Sequence, residues 1–174
     1  MFILIFENLL YNEFIDEKDG IMKKLFLTTL ATLLLSLSAL ADDKADVLAT
    51  FDKYVKEANS YSTTIPNYYM ENARIIRVVN KKQGGQKAVL IPFDRYLKEL
   101  GQHAKLAKVT NYKNTYIDRK VEKIGTDYKV STTRIPRNDK TGLPAHFIFT
   151  KHNGSWKIKE ESMTTNVQTF LNAK

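Results

Sequence analysis

Glu160, Arg134 and His146 are ionisable side chains whose spacing sets them beside apolar neighbours. Alternate residues of an extended chain share a face. Glu160 therefore lines up with Trp156 and Ile158, Arg134 with Tyr128, Val130 and Thr132, and His146 with Ile148 and Thr150. A carboxylate or imidazole held against apolar surface is a candidate general base, which makes His146 and Glu160 the catalytic candidates. An arginine so placed needs an anion or an acid partner. Two arrangements stay open: a buried Arg134–Glu160 pair, or an exposed and unrelated placement of both. Glu160 could equally sit past the core edge and pair with a lysine, and His146 could be an ordinary packed or surface histidine. Arg77 would line the same cavity if the first strand turns Ile75, Arg77 and Val79 inward rather than Arg74, Ile76 and Val78. Trp156 and the tyrosines, Tyr69 and Tyr116 among them, would supply an aromatic wall, which is a binding feature before it is a catalytic one.

Other chemistries find no footing. The three histidines (His103, His146 and His152) have no spacing that brings three ligands to one metal. There is no cysteine, hence no disulfide, thiol nucleophile or thiolate site. No Gly-x-Ser-x-Gly turn exists, and Gly84-Gly85 lacks the Lys-Ser/Thr ending of a phosphate loop. No motif asks for a cofactor.

The elements that must position these residues follow from periodicity. A helix is predicted over 42–60, with Leu48, Phe51, Val55 and Ala58 as its stripe and Asp42, Asp43 and Asp46 at its positive end. Pro66 suits the first turn of a short second helix carrying Tyr68, Tyr69 and Met70 and ending near Asn72. The β-branched run from Ala73 to Asn80 reads as a strand, Gly84-Gly85 as a turn, and Val89 to Ile91 as a short strand. A third helix runs from Phe93 to Leu106 on Phe93, Tyr96, Leu97, Leu100 and Ala104. Four strands follow: 110–124, 128–135, 145–152 and 155–163, the last two joined by the Asn153-Gly154 hairpin signal. A short closing helix over 166–173 carries Val167, Phe170 and Leu171.

The N-terminal part reads differently. Met22-Lys23-Lys24, an apolar run to Leu37 and Ala39-Leu40-Ala41 form a signal peptide, 22–41. The run is too short and too rich in Ser and Thr for a membrane span, which needs roughly 20 apolar residues. The acidic segment 1–21 opposes an export signal, so translation is expected to begin at Met22. Residues 42–174 then form a single domain, acting in the periplasm. Of the 27 Lys/Arg and 19 Asp/Glu, residues 1–41 hold 3 and 5, so the remainder carries +10. Such a charge favours anionic partners, an anionic membrane surface among them, while export makes nucleic acid an unsuitable one; the basic residues are scattered rather than run together, so a merely solubilising charge is the first reading.

The order helix, short helix, strand, helix, antiparallel meander resembles the nuclear transport factor 2-like superfamily. Two stretches carry the resemblance: Tyr69-Met70-Glu71-Asn72-Ala73-Arg74-Ile75-Ile76, where a helix gives way to the first strand, and Gly154-Ser155-Trp156-Lys157-Ile158, the final hairpin. The resemblance implies an α+β cone, in which N-terminal helices pack on a curved antiparallel sheet with a pocket at its wide end. It also implies homodimers through the sheet's outer face. Exported phospholipid-carrying proteins of the toluene-tolerance type share the fold, but they are longer. Fold alone does not choose an activity. The expectation is an exported domain that binds a small apolar or anionic ligand or a partner protein without catalysis, its site drawn from Tyr69, Arg77, Tyr116, Arg134, Glu160 and Trp156. The alternative is a pocket enzyme of the isomerase or dehydratase type. It would use Glu160 or His146 as base and a tyrosine or Arg134 as electrophile.

Overall fold

A computed structural model describes residues 43–137 and 141–172. The expected leader and its upstream extension lie outside the described residues. Helix α1 covers 43–59, a run free of Gly and Pro. Its buried stripe is Val47, Phe51 and Tyr54, flanked by partly buried Val55 and Ala58. The stripe is thus rotated from the expected one, with Val47 and Tyr54 at its centre and Leu48 beside it.

The two α-helices of the described residues end in the same way. In α1, Tyr61 takes φ 61° while Ser62 N–H reaches Glu57 O (3.1 Å) and Tyr61 N–H reaches Ala58 O (3.2 Å). This is a Schellman closure with tyrosine where glycine is usual. The phenol supplies a compensation that glycine lacks, because it donates to Tyr112 O (2.9 Å). Helix α2, Phe93–Val109, closes likewise: Asn111 has φ 49°, and Tyr112 N–H reaches Ala107 O (2.8 Å). The helix therefore runs past Leu106, and the strand expected from Thr110 begins only at Asn114. Asparagine tolerates the left-handed backbone that this exit requires.

The short second helix is not formed. Ile65–Tyr68 is a single 3-10 turn, and Tyr69 already begins the first strand, β1, Tyr69–Asn80. The remaining strands are β2 Gln86–Ile91, β3 Asn114–Ile124, β4 Asp127–Pro136, β5 Leu143–His152 and β6 Ser155–Thr165, before a 3-10 turn over Gln168–Asn172. They form one open sheet in the order β2-β1-β6-β5-β4-β3. All neighbours are antiparallel except β1 and β6, which run parallel, so the sheet is mixed rather than purely antiparallel. Parallel neighbours need a long crossover, and here β2, α2 and the β3–β5 meander provide it.

One face of the sheet is covered by α1, α2 and the two 3-10 turns. Between them lie Phe51, Ile75, Tyr128, Val130, Phe147, Phe149 and Ile158, all essentially without exposure. Asn153 and Gly154, at φ 48° and 77°, make the tight β5–β6 turn. Gly142, just before β5, is required by closeness: a Cβ there would lie 2.4 Å from Thr133 Cγ2.

Two bulges redirect side chains. In β3 the register slips between Ile117 and Lys120, with Asp118 at φ 54°. In β6, Ile148 lies opposite Glu160 while Phe149 lies opposite Ile158, so Lys159 has no partner across the ladder. An extra residue inverts the alternation beyond it. Trp156 and Ile158 face inward as expected, but past the bulge the inward residue is Glu161 and not Glu160.

Candidate functional site

Glu161 has no solvent exposure and sits at the middle of the helix-covered face. Its Oε2 accepts from Tyr54 Oη (3.1 Å), Tyr96 Oη (3.4 Å) and, most closely, Tyr69 Oη. The phenols also touch one another, Tyr54 to Tyr69 at 3.0 Å and Tyr69 to Tyr96 at 3.0 Å. Each phenol has one proton: Tyr69 gives its own to Oε2 and can only accept from the other two, and Tyr54 and Tyr96 each share a single proton between Tyr69 Oη and Oε2. On the opposite side, Oε1 pairs with Arg77 Nη2 at 2.7 Å. Arg77 lies over the rings of Tyr96 (5.5 Å) and Phe170 (6.0 Å), the latter from the last 3-10 turn. The first strand therefore has the Ile75/Arg77/Val79 parity.

Burial, and after it the nearby Glu161 charge, hold Tyr54, Tyr69, Tyr96 and Tyr116 well above the ordinary phenol range. Tyr54, Tyr69 and Tyr96 remain donors for the carboxylate at all ordinary pH. The linkage has a definite sign. The folded state keeps protons that unfolded tyrosines release above about pH 10. The stability this contributes is complete below that pH and falls as pH rises through the folded values, at roughly 1.4 kcal/mol per pH unit for each tyrosine. In an alkaline titration the buried tyrosines should yield tyrosinate absorbance only together with loss of the near-ultraviolet circular dichroism. Full ionisation before any structural change would contradict the network.

As chemistry, this cluster is already complete. The Glu161 carboxylate occupies the point where three phenolic donors and a guanidinium converge, the point a substrate oxygen would otherwise take. Neither the groove beside Asn114 nor the one between α1 and the β5–β6 turn is lined by Glu161, Arg77, Tyr69 or Tyr96.

Arg134 is a different case. It is 7% exposed and faces the same side of the sheet as Tyr128, Val130 and Thr132. Its Nη1 donates to Asn114 Oδ1 (2.9 Å) and reaches Tyr112 Oη at the outer limit of 3.5 Å, and its Nη2 donates to the Thr164 carbonyl (2.9 Å). Its Nε has no partner. Among the described residues no carboxylate pairs with it. Asn114 is fixed by a reciprocal pair to the end of α1: Asn59 Nδ2 donates to Asn114 O and Asn114 N–H donates to Asn59 Oδ1, both 2.9 Å. Tyr116, directly across the ladder from Arg134, packs edge-on to Phe51 at 5.4 Å. Asn59, Asn114, Tyr116, Phe51 and Val55 line a groove of about 270 Å³, with the Arg119–Asp52 ion pair at its rim.

The remaining sequence candidates are placed elsewhere. Glu160 lies on the other face of the sheet, where it pairs with Arg74 Nη1 (2.9 Å) and His146 Nε2 (3.2 Å). The Arg134–Glu160 pair does not exist, because the Lys159 bulge puts the two on opposite faces. His146 and Glu160, the two candidate bases, do meet, but away from the aromatic interior. Trp156 packs edge-on against Tyr128 at 5.3 Å and borders a second groove of about 460 Å³ between α1 and the β5–β6 turn. Among the described residues no group of three His, Asp or Glu could hold a metal, and none of the helices is long and apolar enough to cross a membrane. Sequence reasoning missed Glu161, Tyr54 and Asn114. Only Tyr54 left a signal, at three residues from Phe51 on the helix.

No family model and no curated protein matches the sequence. Solved structures do. A nuclear transport factor 2-like protein with a cystatin-like fold from Novosphingobium aromaticivorans aligns with a TM-score of 0.59 at 10% identity, over 75% of this chain and 86% of that one. A protein of the same organism, provisionally named a scytalone dehydratase, gives 0.55 at 12% identity over 72% and 85%. A nuclear transport factor 2-like protein of unknown function from Shewanella baltica gives 0.52 at 11% over 71% and 93%. Likeness at such identities speaks for the backbone, and the backbone agrees with the sheet order and helix placement above. The chain has the nuclear transport factor 2-like, cystatin-like fold.

Proposed function

We propose that this protein binds a small anionic molecule, one carrying a carboxylate or phosphate group, with Arg134 as its anchor. The supporting observation is the contrast between two buried arginines. Arg77 has a carboxylate partner at 2.7 Å. Among the described residues Arg134 has neutral oxygens only, and its Nε–H is unpartnered. A buried charge without a counter-charge costs free energy, and apolar residues of similar volume commonly fill such positions more stably. A cost of that kind is retained where function requires it.

The groove beside Asn114 and Tyr116 gives access. Turning the Asn114 amide away frees Nη1, and a guanidinium then offers two parallel donors to a carboxylate or phosphate. Phe51, Val55 and Tyr116 would flank the rest of the ligand. A groove of about 270 Å³ lies near the lower end of the range of roughly 300–1,000 Å³ for small-molecule sites, so the ligand is small. With the export segment read from the sequence, the periplasm is part of the same proposal. Catalysis is not: the interior phenols that an isomerase-like reaction would use are spent on Glu161.

The test is thermal unfolding in sodium phosphate and in sodium acetate against chloride at equal ionic strength. A ligand that binds only the folded state raises stability as its concentration passes Kd. Wild-type protein should show a saturating rise in Tm with at least one of the two anions, and Arg134→Met should show none. An equal rise in both proteins would remove Arg134 from the site.

A further inference from the structure

The last turns of α2 present two large apolar side chains to solvent, Leu106 at 63% and Val109 at 84% exposure. They are three apart, hence adjacent on the helix surface. Exposed basic residues adjoin them along the chain: Lys105, Lys108 and, after the helix, Lys113, none with an acidic partner among the described residues. Arg137 is fastened to the same connection, its backbone N–H on Lys113 O (2.8 Å) and its Nη1 on Asn111 O (2.6 Å). From Leu100 to Ile117 the sequence contains no Asp or Glu. Solubility accounts for exposed lysines, but it does not account for an exposed valine and leucine beside them at the end of a helix. Apolar side chains beside exposed cationic ones match the layered chemistry of a lipid interface, where anionic head groups lie just outside acyl chains.

We infer that the C-terminal end of α2 is a peripheral membrane-contact site that rests on an anionic phospholipid surface. Leu106 and Val109 enter the head-group boundary, and Lys105, Lys108, Lys113 and Arg137 lie among the phosphates. The patch is carried by exposure and charge alone and does not depend on an anion at Arg134. The two are nonetheless linked by the chain, since the α2–β3 connection that follows the patch also delivers Tyr112 and Asn114 to Arg134.

Flotation of the protein with phosphatidylcholine vesicles and with phosphatidylcholine–phosphatidylglycerol vesicles tests the inference. Wild-type protein should float with the anionic vesicles only, and less as salt is raised. Each surface lysine contributes about 1 kcal/mol toward an anionic leaflet, about fivefold in partition, so Lys105→Gln/Lys108→Gln/Lys113→Gln should lose on the order of 100-fold. Leu106→Ser/Val109→Ser should lose about tenfold at unchanged net charge. All five positions are exposed, so an unchanged Tm shows that each variant is folded. Arg134→Met should float like wild type, which separates this site from the anion groove. Equal flotation with neutral vesicles, or full retention by either surface variant, would overturn the inference. So would a basic patch that binds RNA and not vesicles.

Discussion

Arg77→Met should cost about 3–5 kcal/mol, because it removes one partner of a buried ion pair and leaves the other charge enclosed. Glu161 has no solvent exposure and Arg77 little, so water cannot replace the lost cation. Methionine fills much of the arginine's volume against Tyr96 and Phe170, so the loss reports charge rather than a void. In urea titration the midpoint should fall at nearly constant slope, the sign of lost stability with an intact transition. The double variant Arg77→Met/Glu161→Gln separates the causes. A neutral amide oxygen still accepts from the phenols, so much of the deficit should return. If Arg77→Met alone were neutral, the pair would not be what fixes the interior.

Phe147→Ala is the second large effect, at about 3–5 kcal/mol. Phe147 has no exposure. It meets Phe51 at 5.0 Å, Tyr54 at 5.6 Å and Tyr116 at 6.0 Å between ring centroids, and its neighbours across the ladder are Val130 and Glu161. Truncation thus opens a void under α1 and beside the carboxylate network together. The hydroxyl groups nearby make that void attractive to water, and water there would compete for Glu161. Phe147→Leu keeps most of the volume and should lose clearly less. Differential scanning calorimetry distinguishes the two, and equal losses would mean that aromatic packing at this point is unimportant.

How far the sequence reveals this arrangement depends on what each residue's neighbours decide. Strand β4 was legible because its alternation is unbroken: Tyr128, Val130, Thr132 and Arg134 share a face in sequence and in structure alike. The Asn153-Gly154 turn was legible because those two residues accept positive φ where most others resist it. Strand β6 was legible only up to Ile158. Nothing in Lys157-Ile158-Lys159-Glu160-Glu161 marks Lys159 as the residue without a partner. Two adjacent glutamates leave the choice between faces to the ladder with β5, which is a tertiary matter. In β1 both parities carried an arginine, and coverage by α2 and the Glu161 charge decided for Arg77. Pro66 has a helix-like φ, but the turn it begins stops after Tyr68, since Tyr69 is already drawn beside Ile158 by pairing with β6. Asn114 is not legible in the sequence because its part, joining α1 to the Arg134 guanidinium, needs contacts across 55 and 20 residues.

The contrast between Arg77 and Arg134 is central: one arginine has a carboxylate partner within the chain, and the other is proposed to hold an anion that the chain does not itself supply. Native mass spectrometry of protein purified from its own host, beside the Arg134→Met variant, tests it most directly. The expected result is a small anionic mass carried by wild-type protein, released on denaturation and absent from a variant at least as stable as wild type. A bare wild-type protein, a ligand kept equally by Arg134→Met, or a variant destabilised as severely as Arg77→Met would contradict it.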